Sequence, residues 1–139
     1  MEYYARTSLD GNTFQTVYEH TKNVSDYAAS FGKRNRLGSI CQLAGWLHDA
    51  GKFSYEFQIH IRKAAESNRA ATKSPSSRFD HGAYGAALLY EDLLPSALSR
   101  PIDQKTKVLY GAFVDFLAMC ICYHHGGLDN YVSIEKRES

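Results

Sequence analysis

A histidine and an aspartate stand side by side at His48-Asp49, and Lys52 follows three residues after the aspartate. Upstream of this pair, apolar residues recur at helical spacing, which predicts a buried helix that Gly51 terminates. Asp49 and Lys52 would then be neighbours on one face. An imidazole and a carboxylate at the end of an apolar helix are costly to bury without partners. Metal ligation would satisfy both groups, and it requires further ligands from elsewhere in the sequence.

Five of the six histidines share one feature, because each lies on or at the end of a predicted apolar helix. One such histidine is usually a hydrogen-bonded core residue, but five of them with an acid favour a metal site. The candidate ligands are His20, His48, Asp49, His81, His124 and His125. The remaining histidine, His60, has no partner at ligand spacing, and we interpret it as a surface or packing residue.

The candidate ligands also limit which metals would bind. Neutral imidazole and carboxylate suit Mn, Fe, Co or Ni, whereas Mg prefers oxygen ligands. The set exceeds the four ligands of a structural zinc site and suits two divalent transition metal ions with open positions, which disfavours Zn and Mg. Asp49 is the only carboxylate of the set and therefore the candidate bridge between the ions. Such a pair can clamp a phosphodiester, which makes Asp49 and Lys52 the candidate catalytic residues.

Basic residues provide a candidate surface for nucleic acid. The net charge of +1 produces no global field, so any such surface must be local. A cluster lies before and within a predicted loop over 72–80, where a solvated loop is an equally good explanation. Its members, which could contact a phosphate backbone, are Arg62, Lys63, Arg69, Lys73 and Arg78. A second basic run, Lys33-Arg34-Asn35-Arg36, is typical of a solvated connector.

The apolar spacing predicts an all-α fold, a helical bundle around the metal centre that forms one domain over residues 1–139. No segment with period-two alternation indicates a β-strand. Ser54 is the expected N-cap of the third helix. The predicted helices span 13–31, 39–50, 53–71 and 81–94, and a last helix begins at 106 and ends at the 123–127 stop.

Composition and cysteine usage argue against a disulfide-stabilised, a secreted or a membrane-spanning protein. Three cysteines do not suggest a disulfide framework, and Cys120 and Cys122 in an apolar run are expected to be buried thiols. We therefore expect a reducing, cytoplasmic setting. The polar first ten residues lack the apolar core of a signal peptide, and no stretch approaches the length of a membrane span.

The ordered set of His20, His48-Asp49 with Lys52, His81 and His124-His125 resembles the HD metal-dependent phosphohydrolase superfamily. Three local runs are similar to a more specific group, the HD nuclease domain of the CRISPR-associated helicase-nuclease of type I interference systems. The resemblance covers residues 14 to 128. Its runs are His48-Asp49-Ala50-Gly51-Lys52 followed by Phe57-Gln58, His81 with Gly85-Ala86, and His124-His125-Gly126-Gly127.

The resemblance implies a helical domain with a two-metal centre that cuts single-stranded DNA in antiviral defence. It implies two partners, a helicase domain or subunit that feeds the strand and a guide-RNA effector complex that opens the target. It further implies that His20 and His48 hold one ion, and that Asp49 bridges. His81, His124 and His125 would hold the second ion, and Lys52 would neutralise a phosphate oxygen or orient the bridge.

The family pattern includes one more acidic ligand downstream of the histidine pair. Two candidates remain in this chain, Asp115 and Asp129, of which only Asp129 follows the pair. Asp115 precedes His124 by nine residues, about half a turn around a helix, and should face away from the metals. We therefore expect the ion beside His81, His124 and His125 to be held more tightly than the ion beside His20 and His48.

Two other functions compete with the nuclease. An HD phosphohydrolase that acts on small nucleotides or cyclic dinucleotides would use the same metal chemistry in a closed pocket. A non-catalytic helical docking module would keep the fold without the reaction. The adjacent His-His-Gly-Gly favours the nuclease over the first alternative, and the intact ligand set argues against the second.

Overall fold

The computed structural model describes residues 2–71 and 81–125, and these residues are mostly helical, as predicted. They form six α-helices and one small antiparallel sheet of two strands. The elements are β1 (Tyr4–Thr7), β2 (Phe14–Thr16), α1 (Val17–Lys33), α2 (Gly38–Leu47), α3 (Tyr55–Arg69), α4 (Gly82–Leu88), α5 (Leu94–Leu98) and α6 (Gln104–Cys122).

The predicted helical fold is confirmed, but the small β1–β2 hairpin was not predicted. Tyr4 pairs with Thr16 and Thr7 with Phe14, so the segment expected to open the first helix is a strand. The helix begins at Val17 because Thr16 caps it. The Thr16 side chain accepts a hydrogen bond from the Glu19 amide (3.1 Å), and the Glu19 carboxylate accepts one from the Thr16 amide (3.2 Å).

Helices α1 and α2 pack antiparallel, and a glycine permits the close approach. A Cβ on Gly45 would lie only 2.5 Å from the Cα of Ser25, so no larger residue fits there without a shift. Helix α1 continues through Gly32 to Lys33, two residues beyond the predicted end. Helix α2 ends at Leu47 rather than at residue 50, and a short 3-10 turn over Ala50–Phe53 follows.

Helices α4 and α6 supply most of the apolar core. Leu89, Leu117 and Ile121 are almost completely buried there. The predicted end of the fourth helix at residue 94 is wrong, because a π-helical segment over Leu89–Leu93 leads directly into α5. The predicted cap of α3 is confirmed, since the Phe57 amide donates to the Ser54 hydroxyl at 3.2 Å.

The three cysteines are not bonded to one another. Cys120 is exposed and Cys122 is half-buried, so the prediction of two buried thiols is wrong for Cys120. Residues two apart on a helix lie about 200° apart around its axis and cannot both face the core. None of the described helices is both long enough and apolar enough to span a lipid bilayer.

Candidate metal centre

The candidate ligands come from the ends of four helices that meet at one point. His48 and Asp49 follow directly after α2, and the 3-10 turn begins immediately after Asp49. His81 is the N-cap of α4. His124 and His125 lie just beyond α6, and His20 lies in the first turn of α1. Helix ends can thus bring together side chains that are far apart in sequence.

The Asp49 carboxylate lies at the centre of the cluster, with a side chain only 1% exposed. Its Oδ2 atom is 2.9 Å from His20 Nε2 and 3.1 Å from His48 Nε2. Its Oδ1 atom is 2.9 Å from His81 Nε2 and 3.5 Å from His124 Nε2. Each oxygen therefore faces a different pair of imidazoles.

Two of these imidazoles have the tautomer of a metal ligand. His48 Nδ1 lies 2.8 Å from the Gly45 carbonyl oxygen, and His124 Nδ1 lies 2.7 Å from that of Ile121. A carbonyl can only accept, so each Nδ1 carries the proton, and in the neutral ring Nε2 has a lone pair. That lone pair faces an Asp49 oxygen. Two electron-rich atoms at this distance repel each other unless a proton or a cation lies between them.

Unsatisfied atoms show that a cation fits this position. Among residues 2–71 and 81–125, neither Asp49 oxygen nor His124 Nε2 has a hydrogen bond of normal geometry, although all three atoms are buried. Such groups are costly to bury unless they bind something. His125 Nε2 also lies 2.9 Å from His81 Nε2.

The donor atoms fall into two groups that share Asp49. Within each group the atoms lie within 4.8 Å of one another, a spacing that could hold a metal ion. One group is Asp49, His81, His124 and His125; the other is His20, His48 and Asp49.

The charges of the cluster favour an ionised carboxylate. Burial alone would raise the pKa of Asp49, but the imidazoles of His124, His20, His48 and His81 hold that pKa far below its usual range. The Asp49 carboxylate in turn raises the pKa of His124, against the opposing effect of burial. Burial lowers the pKa of His125, as do His124 and His81 nearby. The Asp49 carboxylate therefore stays ionised, and its charge attracts protons or metal cations.

A match over residues 11–139 to the family described as "Cas3, HD domain" covers nearly the whole chain and both ligand groups. The chain belongs to this family. Membership implies a metal-dependent nuclease of a CRISPR system, which works with a helicase and a nucleic-acid substrate. No curated protein and no solved structure matches the chain significantly.

The lysine of this HD domain is directed at the central acid. Lys52 Nζ lies 2.8 Å from Asp49 Oδ2, and the 3-10 turn joins the two residues through a backbone hydrogen bond of 2.9 Å. The predicted proximity of the two residues is therefore correct. Lys52 is buried and its ammonium group lies 5.7 Å from the Phe57 ring centroid. Its position supports the role of orienting the acid more directly than contact with a phosphate.

Gln58 is a positioning residue that was not among the predicted site residues. Its side-chain amide donates to the Lys52 carbonyl at 2.7 Å and to the Tyr4 carbonyl at 3.0 Å, and its oxygen accepts from the Tyr4 amide at 3.0 Å. It thereby ties the turn that carries Lys52 to strand β1. The available signal was a polar residue on the apolar face of α3, four residues after Ser54.

The predicted nucleic-acid residues have different surroundings. Arg69 donates to the Gly11 carbonyl at 2.7 Å and joins α3 to the hairpin loop. The Arg62 guanidinium lies 5.4 Å from the Tyr4 ring centroid, and Lys63 is exposed. The remaining two, Lys73 and Arg78, lie outside the described residues.

Of the two candidates for a further acidic ligand, the structure describes only Asp115. Asp115 accepts a hydrogen bond from the Tyr90 hydroxyl at 2.7 Å, on a different part of α6 from the cluster. This agrees with the helical argument that Asp115 faces away. Asp129 lies outside the described residues. His60 is half-buried and lies 6.3 Å from the Phe57 ring, as expected for a packing residue.

Proposed function

We propose that this HD domain is a two-metal nuclease that cuts single-stranded DNA phosphodiesters in CRISPR interference. The observation that carries the proposal is the unsatisfied hydrogen bonding of the two Asp49 carboxylate oxygens. Its two buried oxygens face different pairs of imidazole nitrogens, and none of the described residues gives either oxygen a hydrogen bond of normal geometry. Lys52 Nζ forms an ion pair with Oδ2 alone, at 2.8 Å. Two cations, one on each side of the carboxylate, would satisfy them.

Each ion would have its own ligands, with Asp49 shared between them. His20 and His48 would hold the first ion, and the second would be held by His81, His124 and His125. When bound, the ions supply Lewis acidity and offset the charge that develops on phosphate oxygens. The mixed nitrogen and oxygen donors favour Mn, Fe, Co or Ni over Mg.

The protein's own residues hold the shared acid in place. The Lys52 ammonium group at 2.8 Å fixes the direction of the Asp49 carboxylate, and Gln58 fixes the turn that carries Lys52. The carbonyl groups of Gly45 and Ile121 orient the rings of His48 and His124. Such outer contacts determine the tautomer and direction of ligands, and their loss commonly weakens metal binding by about 10- to 100-fold.

The exposure of the ligands supports an extended substrate rather than an enclosed one. Asp49 is buried, but the His20 side chain is 23% exposed, and His125 lies at the surface. A flexible single strand can place one phosphate in such a recess, whereas a stiff duplex bends only at a cost in free energy. Arg62, Lys63, Arg69, Lys73 and Arg78 are the proposed phosphate contacts, with Arg69 also tied to the hairpin loop.

The proposal includes two partners. A helicase domain or subunit would deliver the strand, and a guide-RNA effector complex would expose it. The family match supports both, since domains of this family work with a helicase in CRISPR systems.

Paired substitutions of aspartate by asparagine test the proposal. Asp49→Asn removes the shared charge, whereas Asp115→Asn makes the same change at an acid that pairs with Tyr90. With Mn present, we expect Asp49→Asn to lose at least about 100-fold in cleavage of a labelled single strand, because both ions lose a ligand. Asp115→Asn should cleave as the parent does, and chelation should abolish the parent's activity. Equal cleavage by Asp49→Asn and the parent would contradict the two-metal centre.

The same assay distinguishes the alternative functions. Faster hydrolysis of free nucleotides or cyclic dinucleotides than of an oligonucleotide would favour the small-molecule phosphohydrolase. A chain that binds no metal and cleaves neither substrate would instead be a docking module.

A further inference from the structure

One face of α1 extends from the metal centre to the far end of the helix. His20, Val24, Tyr27, Phe31 and Arg34 are spaced alternately four and three residues apart. At about 100° per residue, these positions fall within a narrow arc around the helix axis. At about 1.5 Å per residue, Arg34 lies roughly 21 Å along the axis from His20. We call this face the α1 track.

The aromatic residues of the α1 track are exposed. Tyr27 is 69% exposed and Phe31 is 81% exposed. The helix already buries a different face through Val17, Thr21, Ser25 and Gly32. The core therefore does not explain why two large rings stand one helical turn apart on the His20 side.

Positive charge lies at the distal end of the α1 track. Lys33, Arg34 and Arg36 are exposed, and no acidic side chain of residues 2–71 or 81–125 forms an ion pair with them. The sequence has no acidic residue between Asp26 and Asp49. Asp26 itself pairs with Lys22. Within the part of the chain that the structure describes, the positive charge of the distal end is therefore not offset by an ion pair.

We propose that the α1 track binds the single-stranded nucleic acid whose phosphodiester is cut at the metal centre. Tyr27 and Phe31 would stack successive bases, and Arg34 would contact a phosphate farther along the strand. Exposed aromatic rings beside a line of cations are the recurring means of binding a single strand without regard to sequence. An acidic protein surface would use the cations but not the two rings. The inference rests on the proposed function and adds a binding surface to it.

The α1 track predicts that substrate length matters. A strand held at both the metal centre and Arg34 must span roughly 21 Å, so very short substrates gain nothing from the track. A small diester without bases, such as bis(p-nitrophenyl) phosphate, reports the metal centre alone.

Binding to the metal-free protein tests the α1 track independently of cleavage. Fluorescence anisotropy would measure the Kd of a labelled oligothymidine for chelator-treated protein. We expect Tyr27→Ala/Phe31→Ala to weaken binding by at least about tenfold, since base stacking on each ring is strong enough for such a loss. The matched control is Tyr55→Ala/Phe116→Ala, which removes a 76% exposed tyrosine and a 62% exposed phenylalanine from α3 and α6. The control should bind as the parent does.

A charge variant and a small substrate complete the test. Arg34→Gln should reduce the dependence of log K on log salt by about 0.7, the value for one phosphate contact on a single strand. The proposal is wrong if both double variants lose the same amount of affinity for the oligonucleotide. It is also wrong if Tyr27→Ala/Phe31→Ala loses none. If only Arg34→Gln weakens binding, the strand is held by charge without base stacking, and the proposal of stacking on Tyr27 and Phe31 is wrong. If the metal-loaded parent fails to cleave bis(p-nitrophenyl) phosphate, the proposed function fails, while the binding data still decide the track.

Discussion

At the Asp49 carboxylate, the two oxygens serve ligand groups of unequal size. One group contains four residues and the other three, with Asp49 counted in both. The larger group also contains the more deeply buried histidine, since the His81 side chain is 8% exposed and that of His20 is 23% exposed, although His125 lies at the surface. A larger number of ligands holds an ion more tightly, because it completes more of the ion's coordination.

We therefore predict that metal binds in two steps of unequal affinity. His81→Gln should remove the tighter step and His20→Gln the weaker one. Isothermal titration calorimetry with Mn on the parent and both variants would measure the two affinities. Two equally tight sites in the parent, or loss of the same step in both variants, would show that the size of the ligand groups does not determine affinity.

Protons compete with metal for the same atoms. Because the Asp49 carboxylate raises the pKa of His124, the charged imidazole stabilises the folded metal-free protein fully below the unfolded-state pKa of about 6.5. This contribution is lost as pH rises through the folded-state pKa. Metal binding requires neutral imidazoles, so it strengthens over the same range.

We predict that the increase in Tm caused by Mn grows between about pH 5.5 and 8. Differential scanning calorimetry with Mn and with chelator at each pH would measure it. His60→Gln is the control, because His60 lies outside both ligand groups and should leave the profile unchanged. An increase in Tm that is constant over this range would count against histidine ligation.

Among the secondary-structure elements, α4 depends on one glycine for its position. A Cβ on Gly85 would overlap the Leu47 carbonyl oxygen and approach the Ile121 side chain. Gly85 therefore lets α4, the helix that His81 caps, pass directly beside the end of α2, where Asp49 follows.

Gly85→Ala should destabilise the protein by about 1–3 kcal/mol, the usual cost of overpacking, and should also weaken metal binding on the His81 side. Gly111→Ala is the matched control, because a Cβ there meets nothing within 4 Å and lies in the middle of α6. An alanine at such a position should stabilise the helix by roughly 0.5–1 kcal/mol. Urea unfolding of both variants would show the contrast. Equal effects of the two substitutions would contradict the close approach.

The sequence predicted the longer helices because their apolar spacing is regular and Ser54 is a conventional cap. It did not predict the β1–β2 hairpin, whose strands have only four and three residues. A two-stranded hairpin is marginal by itself, and this one is tied to Gln58 on α3 through the Tyr4 backbone. Such long-range contacts leave no local pattern. The continuation through Leu89–Leu93 into α5 was missed for a different reason, because Pro95 indicated an end to the helix.

At the scale of the whole molecule, the composition of the cluster was predictable but its geometry was not. The five histidines and Asp49 were identifiable as residues at the ends of apolar helices. Which imidazoles face which Asp49 oxygen depends on how α1, α2, α4 and α6 pack together. The carbonyl partners of His48 and His124 depend on where each helix ends, and α2 ends three residues before the predicted position.

The final prediction concerns the substrate and ionic strength. Asp49 is 1% exposed, so a phosphodiester must enter a recess to reach it. A single strand can bend into the recess, whereas a duplex has a persistence length of about 50 nm and resists bending. We therefore expect kcat/KM for a single-stranded oligonucleotide to exceed that for its duplex, without dependence on sequence.

Salt should weaken that activity, because phosphate contacts by residues such as Arg62, Lys63 and Arg34 release counterions on binding. With about three contacts on a single strand, log K should fall with log salt at a slope of about −2, so raising salt from about 50 to 200 mM should reduce affinity roughly fifteenfold. Cleavage of the same labelled strand, alone and annealed to its complement, would be measured at both salt concentrations with excess Mn. Faster cleavage of the duplex would contradict the recessed site, and salt-independent binding would contradict the phosphate contacts.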